Sequence, residues 1–217
     1  MADGKIPEEF EVGEPVLVCR WRLSARALPA ANRHMRALGA RTVCGAPLTK
    51  QLLGWAKQHI EWTLAEGTAQ FPDGVLMLMV DAEGRAAMAA GAYEPLADTS
   101  LAALAARATA ALAEAASTGV APETLWVAGA GELVCGLGEG AALSGASSVV
   151  ADLAAAYGVP VRFDAMLVER ARAGEGVGAQ GAASYLLISD EHGAVCAKGE
   201  PSALACRLAA DVAKLYA

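Results

Sequence analysis

The stretch that most constrains the fold of this chain is 142–170, where signals for a turn, a helix, a second turn and a strand follow one another. Ser144 precedes an apolar run at helical spacing, so its hydroxyl is predicted to cap the helix by accepting a hydrogen bond from a first-turn N–H. Gly158 is predicted to end the helix, since glycine readily takes the left-handed C-cap conformation, and Pro160 prevents its resumption. After this turn the apolar residues Val159, Val161 and Phe163 alternate with other residues, which indicates a half-buried strand.

The opening of this helix is the candidate binding site. Gly145, Ala146 and Ser147 would present backbone N–H groups and the positive end of the helix dipole, which is how many proteins hold phosphate. Most openings of this kind only cap a helix. The local pattern therefore predicts either a phosphate-binding turn or a plain cap.

Charge and hydropathy exclude several classes of protein. The net charge of −7 and a pI near 5.0 argue against a general nucleic-acid surface, which needs clustered Lys and Arg. The one basic cluster is expected to be a solvated helix face; it comprises Arg33, His34, Arg36 and Arg41. No apolar run reaches the ~18 residues of a membrane helix, and the polar, acidic start does not resemble a secretory signal. We expect a cytoplasmic protein that binds neither nucleic acid nor membrane.

The cysteines and histidines do not form a recognisable metal site. Five cysteines are scattered without a C-x-x-C pair, which favours buried free thiols over disulfides or zinc: Cys19, Cys44, Cys135, Cys196 and Cys206. The three histidines also lack metal-ligand spacing. Trp55, His59 and Trp62 recur at helical spacing, which predicts a core face, with the lining of a ligand pocket as the alternative.

Strands and helices alternate along the whole chain, which favours an α/β or α+β fold. Two short apolar runs are joined by a D-x-x-G turn at 81–84 and again at 190–193, so each region predicts a β-hairpin with the aspartate side chain capping its own turn. A helix capped by Thr99 or Ser100 follows the first hairpin. We place a domain boundary ahead of that helix, giving a small α/β domain at 1–97 and a C-terminal α/β domain at 98–217.

With its elements in this order, the chain resembles the class IV, or branched-chain-type, PLP-dependent aminotransferases. The stretch 142–161 is similar to that family's L-P-G-I-T-R turn, helix and G-I-x-V strand. Weaker similarities link 34–38 to its H-L-x-R-L helix, 73–76 to its D-G-x-x-R-L strand and 185–189 to its E-V-F-L-T-S strand. The resemblance implies a two-domain homodimer that binds a small-molecule ligand at the domain junction. It also implies that Gly145, Ala146 and Ser147 bind the phosphate of PLP.

The departures from this family concern its chemistry. The family forms a Schiff base between PLP and a lysine just ahead of the helix that begins here at Thr99 or Ser100. This chain has no lysine between Lys57 and Lys198. Cys135 stands where the family has the carboxylate that pairs with the pyridine nitrogen, and Ala37 replaces the arginine of H-L-x-R-L. We therefore expect a pseudoenzyme that lacks Schiff-base transamination, with PLP or a small phosphate held without a lysine.

A second interpretation is a non-catalytic regulatory or dimerisation module of the roadblock or profilin-like type. The stretch 75–116, a D-x-x-G hairpin followed by an S-L-A-A-L helix, resembles that family too. The second hairpin at 185–198 would then mark a second unit. This interpretation explains the missing catalytic residues but leaves 1–42 unexplained.

Overall fold

The computed structural model describes residues 12–66, 70–129, 131–174 and 183–217. The strands in these ranges are β1 (Pro15–Arg22), β2 (Thr42–Val43), β3 (Ala46–Pro47), β4 (Val75–Asp81), β5 (Ala86–Gly91), β6 (Glu123–Ala128), β7 (Leu133–Cys135), β8 (Val161–Phe163), β9 (Ser184–Ser189) and β10 (Gly193–Cys196). The helices are α1 (Ala31–Gly39), α2 (Lys50–Glu66), α3 (Leu101–Thr118), α4 (Gly145–Ala156), α5 (Leu167–Arg172) and α6 (Ala203–Ala213), followed by a 3-10 turn (Lys214–Tyr216).

The first sheet is antiparallel, with the order β1-β4-β5. Its inward residues alternate along β1 and β4, as expected for strands covered on one face. They are Leu17, Cys19, Trp21, Leu76, Leu78 and Val80. Helix α2 contributes Ala56 and Ile60 to the same core, so this sheet and helix form one packed layer pair.

The second sheet has the order β10-β9-β6-β7-β8, antiparallel except for the parallel pair β7 and β8. All six residues of β6 are buried, because helices cover both faces of the sheet. Trp126 belongs to the core formed with α4 and α6. Leu125, which points the opposite way, belongs to the core formed with α3 and α5. The sheet is thus the middle of three layers.

The predicted fold class is confirmed, and most predicted elements lie where the pattern placed them. Helix α5 was not predicted, because six residues are too few to show helical periodicity. The sequence also predicts a glycine-rich loop at 174–181 and a helix that ends at Gly67. The loop lies almost wholly outside the described residues, and Gly67 lies outside them too. The first sheet uses residues between 15 and 91 and the second uses residues between 123 and 196; the boundary at 97/98 stays a prediction.

The two sheets meet through α1 and α4, which pack against each other. A backbone hydrogen bond also joins them, since the Arg22 N–H donates to the Asp190 carbonyl at 3.0 Å. Across the described ranges, the helices are all too short or too polar to span a bilayer.

Candidate functional site

The start of α4 is built as the sequence predicts. The Ser144 hydroxyl accepts a hydrogen bond from the Ser147 backbone N–H at 3.2 Å, and the Ser144 carbonyl accepts from Ser148 N–H at 2.9 Å. Gly158 has φ +69° and ends the helix region. Ser144, Gly145, Ala146 and Ser147 are all buried. The cap is confirmed, and it lies inside the protein.

An internal carboxylate occupies the front of this helix. The Ala146 backbone N–H donates to Asp190 Oδ1 at 2.7 Å, and Asp190 is only 3% exposed. A carboxylate at a helix N-terminus is favourable, because it receives a charge-assisted hydrogen bond and faces the positive end of the dipole. Asp190 therefore supplies the negative charge that the sequence pattern assigned to a ligand.

Asp190 is free to reach α4 because another side chain caps its turn. In the first hairpin, Asp81 Oδ1 accepts from the backbone N–H groups of Glu83 and Arg85, at 3.1 and 2.8 Å, as predicted. In the second hairpin, the Ser189 hydroxyl accepts from the two N–H groups of the turn, those of residues 191 and 192, at 3.2 and 3.1 Å. The expectation that Asp190 caps its own turn is wrong, because the serine that precedes it takes that role.

His34 of α1 closes the site from the other side. Its ring is 2% exposed, and its Nδ1 lies 3.6 Å from Asp190 Oδ2. That separation is too long for a hydrogen bond, and Nδ1 has no hydrogen-bond partner in the structure. The ring centroid lies 5.6 Å from that of Trp21. An imidazole nitrogen with unmet hydrogen-bonding capacity therefore faces the same carboxylate as the helix N-terminus.

The Ser147 hydroxyl is bound inward, into the second sheet. It lies 2.8 Å from Thr124 Oγ1, which in turn accepts from Trp126 Nε1 at 2.6 Å. All three residues are buried. This short chain of hydrogen bonds directs the Ser147 side chain toward β6 and away from the front of α4.

Most residues of the basic cluster lie between the two sheets. The prediction of a solvated helix face is therefore wrong for all of them except Arg36. Arg33 donates to Asp152 Oδ2 at 2.6 Å on α4. Arg41 is 3% exposed and donates to Glu114 Oε1 at 3.3 Å on α3. Burial raises the pKa of Glu114, although Arg41 acts to lower it. Together with His34, these residues connect α1 and the segment after it to the second sheet and its helices.

A phosphate does not fit the start of α4 in this arrangement. The Ala146 N–H is already bonded, the Ser147 hydroxyl points inward, and a phosphate would lie against the buried carboxylate of Asp190. Two anions in a buried environment repel strongly. Phosphate binding by Gly145, Ala146 and Ser147 stays a prediction, and it requires Asp190 to leave.

The position expected for a Schiff-base lysine holds a helix cap. The Ser100 hydroxyl accepts from Ala103 N–H at 3.3 Å and donates to Asp98 Oδ2 at 2.9 Å. Lys198 lies close by in space, since its Nζ contacts Asp98 Oδ1 at 3.2 Å. The side chain of Lys198 is 68% exposed, so this lysine lies on the surface beside the expected position.

Cys135 cannot supply the missing carboxylate. It is fully buried in the core of the second sheet, and burial raises the pKa of its thiol to about 12. A neutral thiol at this place provides no anion for a pyridinium nitrogen. Ala37 is also buried and brings only a methyl group to α1.

Two clefts flank the Asp190 turn. One, of about 390 Å³, is lined by Arg107, Glu123 and Glu191 among others, and the other, of about 300 Å³, is lined by Arg22 and His192 among others. Arg107 donates to His192 Nε2 at 3.2 Å. Burial lowers the pKa of His192. No sequence motif marks these residues as a site. The residues that line the two clefts do not include the start of α4.

Other predicted residues lie away from this region. Trp55 and His59 stack at 4.0 Å between ring centroids, but Trp62 is 54% exposed, so the predicted core face is wrong at its end. Trp55 instead lines a separate cavity of about 540 Å³ beside the β2–β3 hairpin. Cys44 and Cys206 are exposed, which corrects the expectation of buried thiols, while Cys19 and Cys135 are buried as predicted.

Comparisons with known proteins find similarity in structure but not in sequence. No family model matches the chain, and none of the curated proteins matches it. A solved structure of a hypothetical aminotransferase from Mycobacterium tuberculosis, in its apo form, superposes with a TM-score of 0.57 and 12% sequence identity. That superposition covers 98% of this chain and 95% of the other. The chain has an aminotransferase-like fold.

A second similar structure, from Mesorhizobium loti and described as an amino-acid aminotransferase, has a TM-score of 0.46 and 14% identity, over 84% of this chain and 98% of that one. At these identities the likeness concerns the aminotransferase-like fold alone, and the class IV assignment stays a prediction. Nothing in the comparisons supports the roadblock or profilin-like interpretation. Helix α3 packs against β6, β9 and α5, so it belongs to the second sheet and does not form a unit with the β4–β5 hairpin.

Proposed function

We propose that this chain is a pseudoenzyme with an aminotransferase-like fold, which does not transaminate through a PLP Schiff base. One observation carries the proposal: the chain has no lysine between Lys57 and Lys198. A hydroxyl cannot form an imine, and the Ser100 hydroxyl at the start of α3 is committed to capping the helix. The covalent step of transamination therefore has no residue to perform it there.

Lys198 lies beside this position, in contact with Asp98, and its environment argues against a catalytic role. A catalytic lysine needs a lowered pKa, which burial in an apolar pocket or a neighbouring cation provides. Lys198 has instead an exposed side chain and an acidic partner, Asp98. An acidic partner favours the protonated ammonium, which is not nucleophilic.

The proposal extends to the pyridine end of the cofactor and to its phosphate. Cys135 offers a buried thiol of raised pKa in place of a carboxylate. Non-covalent retention of PLP by Gly145, Ala146 and Ser147 would require the displacement of Asp190 from the Ala146 N–H. These two features support a chain that holds PLP weakly or not at all.

The test is incubation of the purified protein with PLP, with and without borohydride, followed by desalting, an absorbance spectrum and peptide mass spectrometry. We expect no retained absorbance and no peptide carrying a reduced pyridoxyl group at stoichiometric yield. The variant K198A is the matched control, because it removes the lysine that contacts Asp98, just ahead of α3. A stoichiometric adduct on Lys198 that disappears in K198A would overturn the proposal and restore covalent catalysis.

We also propose a homodimer, on the support of the resemblance to class IV aminotransferases alone. Sedimentation equilibrium distinguishes the 22.0 kDa chain from a species of twice that mass. A single monomeric species at micromolar concentration would remove this part of the proposal and leave the pseudoenzyme assignment intact.

A further inference from the structure

We propose that Asp190 is a built-in anion that fills a latent phosphate-binding site at the start of α4, so that removal of this one side chain opens the site to free phosphate. The proposal goes beyond the loss of transamination. The contacts of Asp190 with Ala146 and His34 do not depend on whether any lysine of the chain is reactive.

The donors of the latent site are the groups that face Asp190. The Ala146 N–H, at 2.7 Å, belongs to the first turn of a twelve-residue helix, where backbone N–H groups and the dipole favour an anion. His34 Nδ1, at 3.6 Å, is buried, unpartnered and directed at the same carboxylate. A buried polar atom without a partner is uncommon in folded proteins and calls for an explanation. An anion larger than a carboxylate could reach both groups at hydrogen-bonding distance.

Gly145 makes this arrangement possible. A β-carbon at this position would come within 3.0 Å of three ring atoms of His34, so only glycine lets the imidazole lie against the first turn. Helix α4 and helix α1 therefore approach each other at the site itself. The packing of the two helices brings the N–H group to one oxygen of the Asp190 carboxylate and the imidazole to the other.

The role of Asp190 is not shared by the matching residue of the first hairpin. Asp81 accepts from N–H groups of its own turn, from the Gly13 N–H and from the Arg85 side chain. The variant D81N keeps a side-chain oxygen for these donors, so it should cost stability through the lost charge without opening an anion site. D81N is therefore the matched control for D190A.

The experiment compares thermal unfolding of the full chain in sodium phosphate with unfolding in sodium chloride at equal ionic strength and pH. In chloride, we expect both D190A and D81N to melt below wild type by about 5 °C, the shift typical of a lost buried contact in a chain of this size. In ~20 mM phosphate, D190A alone should recover several degrees, because a ligand that binds only the folded state stabilises it by mass action. ³¹P NMR line broadening of inorganic phosphate in the presence of D190A gives a direct second readout.

Three further variants locate the effect. D190N keeps a side-chain oxygen for the Ala146 N–H and fills the site, so its response to phosphate should match that of wild type. D190S, with a shorter side chain, should respond as D190A does, and it serves if D190A does not fold in either salt. The double variant D190A/H34A should lose most of the phosphate response, which would show that the imidazole is part of the site.

Two results would overturn the proposal. One is a phosphate effect on wild type or D81N as large as that on D190A, which would mean general salt stabilisation or a site elsewhere. The other is no phosphate response in D190A or D190S, by melting or by ³¹P NMR. An equal response in D190A and D190A/H34A would also reject the assignment of His34 as a donor.

Discussion

The imidazole of His34 lies where a side chain on Gly145 would begin. The ideal position of a β-carbon on Gly145 lies 2.7 Å from Cε1 of that ring, a distance that real β-carbons do not show, and 3.0 Å from Cγ. Both residues are buried, and they belong to helices that connect the two sheets. The absence of a side chain at Gly145 is therefore a condition for the docking of α1 on α4.

This relationship predicts that G145A destabilises the protein by about 1–3 kcal/mol, the usual cost of overpacking a well-packed site. The matched control is G54A, since Gly54 is also in a helix, is exposed and has nothing within 4 Å of its would-be β-carbon. G54A should stabilise the protein by about 0.5–1 kcal/mol through the better helix propensity of alanine. Urea unfolding monitored by tryptophan fluorescence measures both.

A double-mutant cycle with H34A separates crowding from helix propensity. If the ring is the obstacle, G145A should cost much less in the H34A background, and the coupling energy should exceed about 0.5 kcal/mol. Equal costs in the two backgrounds would show that His34 is not what opposes a side chain at this position.

The burial of Arg41 predicts that its replacement costs much more stability than the replacement of Arg36, which belongs to the same basic cluster. Arg41 is buried and bonds to Glu114 Oε1 at 3.3 Å and to Thr118 Oγ1 at 3.4 Å, whereas Arg36 is exposed on α1. R41A should destabilise the protein by about 1–3 kcal/mol, because a buried ionic partner is lost. This loss of stability is smaller than the loss expected for a fully buried ion pair, since the Glu114 side chain is 38% exposed and water can solvate it.

The measurement is again the free energy of unfolding in urea, with R36A as control. R36A should stay within about 0.5 kcal/mol of wild type, as exposed substitutions usually do. Similar losses of unfolding free energy in R41A and R36A would show that the basic cluster is the solvated helix face that the sequence predicts.

How far the sequence predicts this structure depends on the distance over which each signal acts. The Ser144 cap, the Gly158 stop and the two hairpins depend on neighbouring residues, and all of them formed, although Ser189 and not Asp190 caps the second turn. The contact between Asp190 and Ala146 joins positions 44 residues apart, and no local pattern encodes it. The two D-x-x-G turns look alike in sequence. The one local difference that indicates which side chain caps the turn is the residue ahead of each aspartate: a serine can cap the second turn, while Val80 cannot cap the first.

The basic cluster was misinterpreted for a related reason. Arginines at helical spacing have the same appearance whether their partners are water or acidic groups on another helix. Asp152 and Glu114, which bind Arg33 and Arg41, lie 119 and 73 residues away along the chain. Only the docking of α1 against the second sheet decides that these charges are partnered.

His192 predicts that the protein loses stability on mild acidification. Burial lowers the pKa of His192 below its usual 6.5; Arg107 and Arg22 act in the same direction, and Glu191 and Glu123 oppose them. The unfolded chain, whose histidine keeps the ordinary pKa, therefore takes up this proton first as the pH falls. The stabilisation is complete above about pH 6.5 and is lost as the pH falls toward the pKa of the folded state.

The variant H192N tests this sign, because it removes the titrating group at the same place. The free energy of unfolding in urea should fall more between pH 7.5 and pH 5.5 in wild type than in H192N. Other groups, including Glu114, whose raised pKa acts in the opposite direction, are common to both proteins and cancel in the comparison. If H192N loses as much stability as wild type over this range, the imidazole is not the source of the acid sensitivity.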